Sequence, residues 1–251
     1  MTTKHRTAPL DFALIGAQKS GTTALHYFLK KHPQVTMGDQ QEIHFFDEER
    51  NFASRPPDYA ALHAHYPNDD GLIAGDCTPS YLFWPPAAER LCQYQSSLKL
   101  LVLLRNPIDR AFAHWNMQRF KKREPFDFLP ALREEGTRTA DPLSVDARRF
   151  SYVGRGYYSR QLRRFFQLFP REQFLILKSE DFRERPLEIV NIVFQFLNLP
   201  PVRSVRSKDR NVVPYEREMS KEERRELAGI FAGEIEQLEQ LLGWDCSDWK
   251  P

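Results

Sequence analysis

The chain has 251 residues, 41% hydrophobic and 28% charged, which is enough apolar material to bury the core of one α/β domain. Thirty-six Lys+Arg against 34 Asp+Glu leave a formal charge of only +2. No global basic field argues for nucleic acid, so any anion site must be local. Three scattered cysteines, Cys77, Cys92 and Cys246, have no metal-ligand spacing and read as free thiols in a reducing compartment. The longest aliphatic run, Leu100 to Leu104, is too short to span a bilayer, and residues 1–9 form a polar tail without an apolar signal core. The expectation is a soluble cytoplasmic protein with no membrane anchor and no metal, folded as one domain over residues 10–251.

In chain order, a strand, turn and helix run from about Asp11 to Lys31: a short apolar run begins at Phe12, and helical spacing resumes at Ala24, Leu25, Phe28 and Leu29. Between them lies Gly16-Ala17-Gln18-Lys19-Ser20-Gly21-Thr22-Thr23. A strand, a tight turn and a helix N-terminus direct successive backbone N–H groups and the positive helix end at one point, a ready site for phosphate or sulfate. The Gly16 to Gly21 spacing matches a nucleotide P-loop, but Gly21 is followed by Thr22 where Walker A requires lysine. Pro33 ends the helix at His32, and Gln34 to Met37 reads as a short strand. Residues 48–70 read as loop with a short helix, and Leu72 to Gly75 as a brief strand.

Leu98 to Leu104 has the composition of a central parallel strand covered on both faces. Asn106 caps the next helix, with Pro107 at its first position and Asp109 favouring its dipole. Residues 121–150 are charged and weakly periodic and read as a mobile flap. A helix from about Tyr157 ends at Pro170. Phe174 to Leu177 is a strand, and Leu187 to Leu197 a helix. Ser220-Lys221-Glu222-Glu223 is a capping box opening a long helix that stops at Gly243. Phe165, Phe166 and Phe231 fall on buried helix faces. The alternation predicts a P-loop-like three-layer α/β fold, a mostly parallel sheet flanked by helices, with Gly16, Asp76 and Arg105 at the carboxyl ends of strands.

Arg105, at the end of the strongest strand, can fork two hydrogen bonds to a phosphate or pair with a structural carboxylate. Joined to the loop around Lys19, the first reading implies a ligand with two separate phosphate groups. At this point a family resemblance emerges. Ile15 to Thr23 resembles the 5′-phosphosulfate loop of sulfotransferases that use 3′-phosphoadenosine 5′-phosphosulfate (PAPS). Leu104-Arg105-Asn106-Pro107-Ile108-Asp109-Arg110-Ala111 resembles their 3′-phosphate motif. Glu42-Ile43-His44-Phe45-Phe46 is similar to the segment with the catalytic glutamate of the heparan sulfate sulfotransferases, and Thr78-Pro79-Ser80-Tyr81 to their next strand end. The matches follow one another in the family's order over nearly the whole chain.

The resemblance implies in-line transfer of a sulfuryl group from PAPS to a hydroxyl or amine. It implies Glu42 as general base, with His44 as the rival base or a substrate contact, and Lys19 stabilising charge on the leaving phosphate oxygen. Gln18, Lys19, Ser20, Gly21, Thr22, Thr23 and Arg105 would hold the donor, with Tyr158, Lys208 and Arg210 as candidates near the adenosine. Ala113 stands where the family usually has a serine on the 3′-phosphate, a loss worth about 1.5–3 kcal/mol if nothing replaces the hydroxyl. Asp76-Cys77 stands where heparan-type enzymes carry Glu-Lys. The acceptor is a small molecule, sugar, lipid or carrier-bound intermediate. Phe45, Phe46, Tyr81, Phe83 and Trp84 either line its cleft or belong to the core. His26, His32, His63, His65 and His114 read as structural or exposed. The rival functions are a P-loop kinase or NTPase and a non-catalytic 3′-phosphoadenosine nucleotide-binding protein.

Overall fold

The computed structural model describes residues 6–53, 56–67, 71–205 and 214–250. Its elements in chain order are β1 (Phe12–Gly16), α1 (Thr22–Lys31), β2 (Val35–Met37), α2 (Tyr59–His63), β3 (Ile73–Cys77), α3 (Ala87–Tyr94), β4 (Lys99–Leu104), α4 (Pro107–Phe120), α5 (Phe128–Arg138), α6 (Val145–Phe150), α7 (Tyr158–Phe166), β5 (Phe174–Lys178), α8 (Ser179–Glu184), α9 (Pro186–Phe196) and α10 (Lys221–Leu242). The sheet order is β2-β3-β1-β4-β5, and every pairing is parallel.

Strand periodicity explains the continuous aliphatic runs. Ala13, Ile15, Leu100, Val102 and Leu104 pack into one core with α3, α4, α7 and α10, whereas Phe12, Leu14, Leu101 and Leu103 pack into a second core with α1 and α9. With both faces covered, alternation disappears. Because α1 lies on one face and α4 on the other, the strand order reverses between β1 and β4. In open parallel sheets a ligand crevice forms at that point, outside the carboxyl ends.

The helix boundaries follow the capping chemistry. The Asn106 side chain accepts from Ile108 N at 3.0 Å with Pro107 in the first turn, and Ser220 and Glu223 form the reciprocal capping box. Gly243 ends α10 in the left-handed conformation, φ 67°. Phe165 and Phe231 are wholly buried, and Phe166 packs partly buried against the same core.

The expected flap over 121–150 is corrected: most of the segment folds into α5 and α6. Phe128, Ala131, Ala147 and Phe150 are buried, and the buried Glu124 carboxylate accepts from Arg138 at 2.8 Å and Tyr152 Oη at 2.6 Å. Each helix is short and its apolar contacts are split between partners, so neither produces a long periodic signal. Phe45, Phe46, Tyr81 and Trp84 are core residues, whereas Phe83 is partly buried.

Candidate active site

The loop after β1 is shaped by close backbone packing. A Cβ on Gly16 would lie 2.6 Å from Leu82 Cβ, so only glycine lets the 78–84 segment cross above the strand end. Gly21 has φ 94°, a conformation that starts α1 without a side-chain cap and leaves the first-turn N–H groups to the crevice. The short helix α8 packs behind the loop, with Ser179 and Phe182 near Gly21.

Across the crevice, Arg105 Nη1 donates to the Lys19 carbonyl at 3.1 Å, which draws the two expected donor-binding segments together. Its own carbonyl accepts from Tyr158 Oη at 2.9 Å. Tyr158 is wholly buried, so in this structure its hydroxyl positions Arg105. Burial, then the charges of Arg105 and Lys121, hold the Lys19 ammonium below its ordinary pKa, and Glu42 opposes them. Arg110 adds a further cation; it is wholly buried, donates to the Tyr152 carbonyl, and keeps Nε and Nη1 without a protein partner. The buried Ser20 Oγ and Gln18 Oε1 also have no hydrogen-bond partner among the described residues. Cations without an ion-paired carboxylate among those residues, an orphaned hydroxyl and a helix N-terminus together suit a phosphate-bearing ligand. Ala113 is buried on α4, and Lys208 and Arg210 lie outside the described residues.

The second half of the site is the loop 41–47. Gln41 Nε2 donates to Thr23 Oγ1 at 2.8 Å, joining this loop to the start of α1. His44 adopts φ 58° and sits between two carboxylates, with Nε2 3.2 Å from Glu42 Oε2 and Nδ1 2.9 Å from Asp47 Oδ2. Burial alone lowers the imidazole pKa, but the hydrogen bonds and charges of Asp47 and Glu42 outweigh it and raise the value to about 9. His44 is therefore an imidazolium near neutral pH. Asp47 is buried, and Ser80 Oγ donates to it at 2.5 Å. Burial pushes its carboxyl up, but His44, Ser80 and the Arg148 charge overcome this and hold it below its ordinary pKa. Glu42 remains half-exposed and close enough to Lys19 for its charge to be felt there.

Two sequence-derived residues are thus joined by a third that sequence reasoning left without a role. Asp47 follows His44 by three positions, but a loop gives no periodicity from which to read that contact. Asp76, expected at a strand end, is wholly buried; burial raises its carboxyl pKa to about 6, and Thr78 Oγ1 donates to it at 3.1 Å. His114 is buried and held far below its usual pKa, first by burial and then by Arg110 and Arg155. His26, lowered to about 4 mainly by burial, is likewise structural. Among the described residues no cluster of three or more His, Cys, Asp or Glu could hold a metal, and no helix is long and apolar enough to cross a membrane.

Comparison with known proteins agrees with this geometry. The family model described as "Sulfotransferase domain" matches residues 86–227. The chain is 31% identical over 193 residues to heparan sulfate glucosamine 3-O-sulfotransferase 5 of Mus musculus, covering 75% of this chain and 53% of that protein. It is 33% identical over 192 residues to heparan sulfate glucosamine 3-O-sulfotransferase 6 of Homo sapiens, covering 75% and 52%. The chain thus spans about half the length of these relatives. A solved sulfotransferase from Alicyclobacillus acidocaldarius superposes with a TM-score of 0.80 at 28% identity, covering 97% of this chain and 99% of that one. The chain belongs to the sulfotransferase family.

Proposed function

We propose that this protein transfers a sulfuryl group from PAPS to an acceptor hydroxyl, with Glu42 as general base and Lys19 stabilising the leaving phosphate oxygen. The observation that carries the reading is the convergence of the Lys19 loop, Arg105 and the Glu42–His44–Asp47 chain on one crevice. When bound, PAPS supplies the sulfuryl group and a nucleotide leaving group.

The loop amides, Ser20, Thr22, Thr23 and Lys19 hold the 5′ end, and Arg105 the 3′-phosphate. Two separated grips orient the donor for in-line attack. Lys19, with its charge already disfavoured by burial and by neighbouring cations, gains most where negative charge develops. Glu42 accepts the acceptor proton. The hydrogen bonds and charges of Asp47 and Glu42 favour the protonated imidazole, which supports Glu42 rather than His44 as the base, and the His44 contact at 3.2 Å aims the Glu42 carboxylate. The names of the relatives favour a sugar hydroxyl as the first acceptor class to test, with small molecules, lipids and carrier-bound hydroxyls next and amines last. Three free cysteines support a reducing, cytoplasmic setting.

The test is isothermal titration with 3′-phosphoadenosine 5′-phosphate, followed by an acceptor screen with radiolabelled PAPS. Nucleotide binding with label transfer to a hydroxyl acceptor is expected. A strict requirement for ATP and Mg²⁺, with PAPS inert, would replace this reading with the kinase one.

A further inference from the structure

The Glu42–His44–Asp47 chain does not stand alone on its loop. Asp47 Oδ2 lies 3.3 Å from Arg148 Nη1 on α6, and a second Arg148 nitrogen donates to the Asp47 main-chain carbonyl. One guanidinium therefore grips one residue at both its side chain and its backbone, a planar two-point contact that arginine makes and lysine cannot. Arg148 is itself fixed. Its guanidinium stacks over the wholly buried Trp84 at 4.5 Å, and its carbonyl accepts from Arg155 Nη2 at 3.0 Å. Arg155 is buried and lies over Phe83 at 4.5 Å. Phe83 and Trp84 continue the segment whose Ser80 also donates to Asp47. Asp47 is held from two sides, by the strand-end segment 78–84 and by α6.

We propose that Arg148 is a positioning residue, which ties α6 to the base loop through Asp47 and so fixes the direction in which His44 presents itself to Glu42. The inference rests on the reading of Glu42 as base. The groups facing His44 are Glu42 and Asp47 from its own loop and Ser80 from the segment after β3. Arg148 reaches it through Asp47, and Arg155 and Lys19 are the further cations whose charges are felt at Glu42. Arg148 and His44 share one carboxylate, so removing the guanidinium leaves the imidazolium as the ion-pair partner of Asp47, with the Ser80 hydroxyl still donating to it. It also removes the main-chain anchor of the loop at Asp47.

The test is NMR titration of the His44 imidazole in the complex with 3′-phosphoadenosine 5′-phosphate, for wild type, Arg148→Lys and Arg148→Ala. The expected result is a midpoint moved upward by at least about half a pH unit in Arg148→Ala, with Arg148→Lys between. In an Asp47→Asn background, Arg148→Ala should move the midpoint far less, since the shared carboxylate is gone and only the main-chain contact remains. Turnover should fall about tenfold or more while nucleotide affinity stays within about threefold, and added guanidinium should restore part of it. An unmoved or lowered midpoint overturns the inference, as does an equal effect in the Asp47→Asn background. Should Arg148→Ala fail to fold, Arg148→Lys decides by the same midpoint. The titration needs no turnover, so it separates this inference from the base assignment, which falls if Glu42→Gln stays active.

Discussion

The two ends of the crevice are built from different materials. The donor end uses main chain and strand ends: amides of the Lys19 loop, the first turn of α1, and an arginine at the tip of β4. Its surplus is positive charge, with buried cations that have no ion-paired carboxylate among the described residues. The acceptor end is a chain of side chains, Glu42–His44–Asp47, braced by Ser80 and Arg148 from two other segments. There the charges are already matched within the protein. The backbone amides of the cradle do not titrate and leave Lys19 as its titrating group, whereas a relay of carboxylates and imidazole is set throughout by protonation. The first end has cations to offer an anion; under the proposed function the second serves as the proton acceptor.

If this contrast is right, Glu42→Gln breaks the acceptor end alone. The kcat should fall about 10²–10⁴-fold with nucleotide affinity nearly intact, as measured by steady-state kinetics and calorimetry. A near-wild-type rate would move the base elsewhere. Lys19→Ala should break the donor end, lowering kcat about 10²–10³-fold and weakening donor binding together. A change confined to acceptor KM would contradict the leaving-group role.

The pH dependence sharpens the comparison. The folded-state pKa of His44 is raised from 6.5 to about 9. The stability its ion pairs add is therefore fully present below about pH 6.5 and lost as pH rises through about 9. Turnover should show a descending limb near pH 9 that is absent in His44→Asn. Denaturant titrations of both proteins from neutral to alkaline pH should show the stability gap closing in the same window. The smallest effect is expected from Ala113→Ser, which restores a hydroxyl on α4 and should tighten binding of 3′-phosphoadenosine 5′-phosphate by up to about tenfold. Unchanged affinity would mean that another group already serves the 3′-phosphate.

Local chemistry made much of this molecule legible. The strand–loop–helix around Lys19, the Asn106 and Ser220 caps, the Gly243 stop and the aliphatic β4 each depend on residues within a few positions of one another. The 121–150 segment was not legible, because its order comes from contacts well beyond one helical turn, within the segment and across the chain. Glu124 meets Arg138 and Tyr152, and Arg148 meets Asp47 across 101 positions. The aromatic run around Phe45 and Phe46 was ambiguous for the same reason, since residue type alone does not tell a cleft wall from a core.

By itself, then, the sequence determined the layered α/β architecture and the strand–loop–helix around Lys19, because backbone geometry, capping and strand burial are short-range properties. Only the tertiary structure decided the protonation state of His44 and the bracing of Asp47. A pKa is set by burial and by charges brought together from separate segments, and no spacing along the chain carries that information.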